Sequence, residues 1–120
     1  MTDNRPKPPR GLQRAGKRVW AAVLDEFVLD ARELLVLEQA ARQADAVAAL
    51  EAEVEGSGLV TRGSAGQPRL SQSVVELRQS RLAVSKLLSD LALPDEDDTT
   101  AASRRGRKAA DARWNGPRAA

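Results

Sequence analysis

Clustered positive charge is the main chemistry this sequence offers. Arg5, Lys7, Arg10, Arg14, Lys17 and Arg18 crowd residues 1–18 against Asp3, a local net charge of +5. Residues 104–120 repeat the pattern, with Arg104, Arg105, Arg107, Lys108, Arg113 and Arg118 against Asp111, again +5. The whole chain carries only +2, so residues 19–103 must total −8. Guanidinium and ammonium groups at this density suit phosphate contacts, which are independent of base sequence and weakened by salt. An acidic body between two basic ends therefore points to nucleic acid at the ends. The alternative is that the ends only solubilise the chain.

Other chemistries find little support. The chain has no His, Cys or Tyr, which removes imidazole and thiolate metal sites, thiol nucleophiles, His-based triads and disulfides. The run Asp95-Glu96-Asp97-Asp98 offers oxygen ligands to a divalent cation, but its Thr- and Ala-rich surroundings read as a solvated acidic spacer. Gly63 and Gly66 frame a turn, and no lysine follows them as a phosphate-binding loop requires. Aromatic residues are 2% of the chain, too few for a sheet that stacks single-stranded bases. The expectation is a non-enzymatic chain with no metal, cofactor or small-molecule substrate. No apolar run approaches the roughly 20 residues of a membrane span. A reducing cytoplasm is the expected setting.

The elements that must present the charges are helical. Ala, Leu and Val supply most of the apolar content, which suits helices better than a sheet sandwich. Residues 1–11, with Pro6, Pro8, Pro9 and Gly11, read as a disordered basic arm. A first helix is expected from about Leu12 to Phe27, with Leu12, Gly16, Val19, Trp20, Val23, Leu24 and Phe27 on one face and Arg14, Lys17 and Arg18 opposite. Asp30 and Glu33 form a capping box for a second helix, and Leu29 and Leu34 a hydrophobic staple. That helix is expected from about Ala31 to Glu55, closed by Gly56. Leu59-Val60-Thr61 and Arg69-Leu70 read as a small hairpin with Pro68 at an edge, or else as an irregular loop. A third helix starts near Ser73, with Glu76 at capping-box spacing, and stops before Pro94. Its Arg78 and Arg81 read as solvated or paired to Glu51, Glu53 and Glu55. The domains are then an arm at 1–11, a helical oligomerisation core at 12–93, an acidic linker at 94–103 and a basic tail at 104–120. The tail is expected to form a short basic helix ending near Trp114.

A core so poor in aromatic residues contributes little surplus stability. Apolar positions on the second helix also wrap round more than one face, so a second copy is the economical cover. Leu37, Leu50 and Val54 are the expected contacts between copies. Several arms on one assembly would raise the effective concentration of each after the first engages DNA. A marginal monomer is the competing reading.

The order of the segments resembles a known family. LQRAGKRVWAAVLDEFVLDARELLVLEQAARQAD looks like the opening of small terminase subunits of tailed bacteriophages, where a G-x-x-x-W segment leads into a Leu- and Ala-rich helix. GQPRLSQSVVELRQSRLAVSKLLSDLALPDE is similar to their second half, a G-x-P turn before an ELRQ-x-R helix ending in L-x-LP. RKAADARW resembles the basic tails of such proteins from phages of actinobacteria. The resemblance covers most of residues 11–114. It implies a mainly helical, ring-forming, non-catalytic protein in the cytoplasm of a bacterial host. Such a protein binds viral DNA at the packaging start and engages a large terminase subunit that carries the ATPase and nuclease. The chain departs from many relatives in lacking an N-terminal helix-turn-helix, since its second helix is too acidic for a major groove. Recognition by a ring of tails and by DNA bending is then expected.

The phosphate-contact residues expected are Arg5, Lys7, Arg10, Arg14, Lys17 and Arg18, with Arg104, Arg105, Arg107, Lys108 and Arg113 as a second set. Trp114 is read as a docking anchor for the large subunit, or as packing back on its own core. Two rival readings remain: a dimeric nucleoid-associated or regulatory DNA-binding protein of a bacterium, and a structural coiled-coil adaptor.

Overall fold

A computed structural model describes residues 5–91. The acidic linker expected at 94–103 and the basic tail expected at 104–120, with Trp114, lie outside the described residues, as do residues 1–4. The described part is mainly helical. It comprises helices α1 (Arg14–Glu26), α2 (Ala31–Ser57) and α3 (Gln72–Asp90), with a two-stranded antiparallel hairpin of β1 (Val60–Arg62) and β2 (Pro68–Leu70) joining α2 to α3.

The start of α2 is fixed by reciprocal capping. Asp30 accepts from the Glu33 backbone at 2.8 Å, and the Glu33 carboxylate accepts from the Asp30 backbone at 2.9 Å. Both bonds satisfy amides that a helix start leaves without an internal partner. The 27 residues of α2 give a rod about 40 Å long, at roughly 1.5 Å per residue. Its end falls later than expected. Gly56 stays helical, and the helix stops at Gly58, whose φ of 82° and ψ of 178° form an extended positive-φ backbone open to glycine.

Helix α3 also begins differently. Ser73 was expected to cap it, but the helix already starts at Gln72 and places Ser73 inside the first turn. Glu76 instead accepts from the Gln72 side chain at 3.1 Å. Capping-box spacing alone does not locate a start when the preceding strand already sets the chain direction.

In the hairpin, Val60, Thr61 and Arg62 face Leu70, Arg69 and Pro68 respectively. Gly63 donates to the Gln67 carbonyl at 2.7 Å, closing a three-residue loop over Ser64, Ala65 and Gly66. Gly66, at φ 83°, supplies the left-handed residue such a loop needs.

The core sits at the end away from the hairpin. Leu12, Trp20, Leu24, Phe27, Leu29, Leu37, Ala41 and Leu91 form one buried cluster, with Val19, Val23, Leu34, Val36 and Leu88 packed against it. Three helices and the α1–α2 link all contribute. Leu37 is fully buried there, which corrects its assignment to a contact between copies: its partners belong to its own chain. Leu50 and Val54 are half-buried in the protomer.

Candidate nucleic-acid interface

Helix α1 has no side-chain cap of its own. Its N-terminus is closed from α2 by Asp45, whose carboxylate accepts from the Gln13 and Gly16 amides, each at 2.7 Å. Approach this close depends on Gly16. A Cβ there would lie 2.6 Å from Asp45 Oδ2 and 2.7 Å from the Ala41 carbonyl oxygen. Asp45 thus occupies the place where a helix N-terminus would otherwise attract a phosphate. Any anion must be held by side chains instead.

Those side chains lie on the opposite face. Gly16, Trp20 and Leu24 are buried, whereas Arg14, Lys17 and Arg18 are exposed. Spacing of three and four residues puts the three bases on adjacent positions of one helical surface. Among the described residues, Arg14, Lys17 and Arg18 have no carboxylate within ion-pair distance.

The arm adds to this surface because it is held against it. Residues 5–11, part of the arm expected to be disordered, form neither helix nor strand and make contacts with α1 and α2. The Trp20 indole Nε1 donates to the Pro6 carbonyl at 3.1 Å, satisfying the polar edge of a buried ring. Arg42 of α2 donates to the Arg10 carbonyl at 3.4 Å while pairing with Glu38 at 3.3 Å. Arg5 pairs with Asp25 of α1. Proline and glycine content marks a segment without regular structure, but says nothing of such tethers.

Arg5, expected as a phosphate contact, pairs with the Asp25 carboxylate. Its effect on the surface is indirect. Asp25 lies on the same helical face as Arg14 and Arg18, and Arg5 neutralises it. Lys7 and Arg10 are exposed. Lys7 shares the lining of a cleft of about 340 Å³ with Pro6, Trp20, Ala21 and Leu24, and so lies alongside α1. Between residues 5 and 24 the sequence contains no Asp or Glu.

The remaining predicted residues are dispersed or outside. Arg104, Arg105, Arg107, Lys108, Arg113 and Trp114 lie outside the described residues. Leu50 lines a groove of about 580 Å³ between α2 and α3, with Ala46, Ala49 and Ala83 on its walls and Glu76 at its side. Arg81 pairs with Glu51 at 3.1 Å, one of the two options its position left open. Sequence reasoning missed Asp45 and Arg42. Their partners lie about 30 positions away, and the one local signal was a glycine inside an otherwise well-filled helix.

No group of three or more metal-ligating side chains exists among the described residues. No helix among them is long and apolar enough to cross a membrane. No family model, curated protein or solved structure matches the chain.

Proposed function

We propose that this chain is a non-catalytic DNA-binding subunit of a phage packaging terminase, the small subunit, acting as a multi-copy ring in the bacterial cytoplasm. It grips double-stranded DNA through its basic surface and presents that DNA to a large subunit carrying the ATPase and nuclease. The observation that carries the DNA reading is the exposed set Lys7, Arg10, Arg14, Lys17 and Arg18 on an ordered surface, with Asp25 beside it neutralised by Arg5. The packaging role rests on the resemblance of the helical segments to that family. The chain hydrolyses no nucleotide and cuts no DNA in this reading.

The test is duplex binding measured across a salt series for the full chain and for an Arg14→Ala/Lys17→Ala/Arg18→Ala variant. A weaker salt dependence in the variant supports the reading. Identical slopes in the two proteins would remove the basic surface from consideration. Magnesium-dependent ATPase activity that co-purifies with the chain would overturn the non-catalytic role.

A dimeric regulatory DNA-binding protein is the second reading. The hairpin favours it, because Pro68 leaves β2 without a donor at one outward position and so discourages strand pairing that continues from copy to copy.

A further inference from the structure

The hairpin has the character of an incomplete sheet. All six strand residues are exposed, and Leu59, Val60 and Leu70 are 60%, 61% and 44% accessible. An isolated two-stranded hairpin is marginal in water, and exposed strand edges invite further pairing. Its two edges are not equivalent. Antiparallel pairs alternate between residues that bond each other and residues whose backbone groups point outward. The bonds from Gly63 to Gln67 and from Ser71 to Leu59 fix the alternation. Thr61 and Arg69 then bond across the hairpin, while Val60, Arg62, Pro68 and Leu70 turn their backbone groups outward. On β2, Pro68 has no N–H to offer. On β1, Val60 and Arg62 each present both a donor and an acceptor.

We infer that β1 is a docking edge for β1 of a second copy of this chain, joined antiparallel about a two-fold axis at Thr61. This register sets Val60 of one copy opposite Arg62 of the other, so the outward groups of both residues are satisfied in both copies. Strands offset from this register would leave one of them exposed. Charge supports the same partner. In the antiparallel arrangement, the chain entering β1 of one copy, which follows Glu53 and Glu55, runs beside the Arg62 end of the other. The aliphatic part of Arg62 lies across the facing Val60, covering apolar surface that the protomer leaves exposed. Pairing ends at two copies because the β2 edge lacks the donor at Pro68 and keeps only that of Leu70. The contact is thus a pairing device, compatible with a simple dimer or with paired subunits inside a larger assembly, and it does not depend on DNA binding.

The experiment sizes the full-length chain, without DNA, by native mass spectrometry and sedimentation velocity. Val60→Pro removes an outward donor and takes no donor from the bonds within the hairpin. It should halve the copy number while the helical circular dichroism is kept. Leu70→Pro places the same change on the blocked edge and should leave the copy number as in the parent. Parent and Val60→Pro proteins of equal size would overturn the inference, as would equal losses in both proline variants or a monomeric parent. An unchanged size with weakened duplex binding would also overturn it, assigning the hairpin to DNA. Should Val60→Pro lose helical signal, Arg62→Glu carries the test. It should weaken pairing, and adding Glu55→Arg should restore it; no recovery in the double variant would count against this register. The DNA reading is judged separately by its salt series, so either idea can fail alone.

Discussion

Gly16 and Asp45 are where one atom matters most. The Asp45 carboxylate serves two amides of a helix that starts without a cap, and Gly16 provides the space for it. Gly16→Ala would normally stabilise a helix interior by up to about 1 kcal/mol, because alanine has the better propensity. Here the added methyl meets a backbone carbonyl at 2.7 Å, which cannot swing aside as a side-chain terminus can. Overpacking of this kind costs about 1–3 kcal/mol, so the net effect is expected to be destabilising. Thermal or urea unfolding checks the sign. Asp45→Ala should cost about 2 kcal/mol, the scale of a lost cap with charge-assisted bonds. The pair should also be non-additive, since each change disturbs the same contact. By contrast, Arg81→Glu should change stability by less than about 1 kcal/mol. Its ion pair with Glu51 joins side chains that are 57% and 51% accessible, where water screens the attraction.

Helices α1, α2 and the hairpin were legible in the sequence for identifiable reasons. Asp30 and Glu33 announce the α2 start by a spacing that makes sense only as a capping box, and both bonds are present. Gly63 to Gly66 announce the turn. The face of α1 that carries Arg14, Lys17 and Arg18 follows from its three-and-four spacing against Trp20 and Leu24. What was not legible depends on contacts between distant segments. The apolar stripe on α2 cannot say which of its members meets α1 and which meets another molecule. Leu37 meets its own core, while Leu50 lines an open groove. That difference gives a prediction for the two leucines. Leu37→Asp buries a charge with no partner and should unfold the protomer, at a cost of several kcal/mol. Leu50→Lys should keep the helical circular dichroism, because a half-buried lysine can extend its ammonium into water. If Leu50 forms a contact between copies, that variant should also shift the assembled species to smaller ones by sedimentation velocity. An unfolded Leu50→Lys protein, or a folded Leu37→Asp protein, would reverse the assignment of the two positions.

For the whole molecule, the proposed DNA-binding function turns on whether DNA meets the arm-and-α1 surface or the basic segment at 104–120. Each end carries +5 by sequence, so net charge does not distinguish them. The N-terminal surface has a backbone held in place by named contacts. Lys7 and Arg10 sit on a segment tethered through the Pro6 and Arg10 carbonyls, and Arg14, Lys17 and Arg18 sit on a helix capped by Asp45. Basic residues on a backbone already held in place lose less backbone entropy when they engage phosphate. Truncating residues 1–10 would be a poor test, because it also removes the Pro6 acceptor from Trp20 and the Arg5 partner from Asp25. Point substitutions keep the surface intact. For duplex DNA, each lost phosphate contact flattens the plot of log affinity against log salt by about 0.9. Changing Arg14, Lys17 and Arg18 together to alanine should lower the slope by about 2.7, and Lys7 with Arg10 by about 1.8. Arg5→Ala should behave differently. It leaves Asp25 uncompensated beside the basic face, so affinity should fall at low salt even though no phosphate contact is lost. Removing residues 104–120 should leave the slope near its parent value while reducing capture of a large terminase subunit, the role proposed for Trp114. A slope that collapses only on removal of that segment would move the DNA grip to the C-terminal end, leaving the ordered surface of α1 without phosphate to hold.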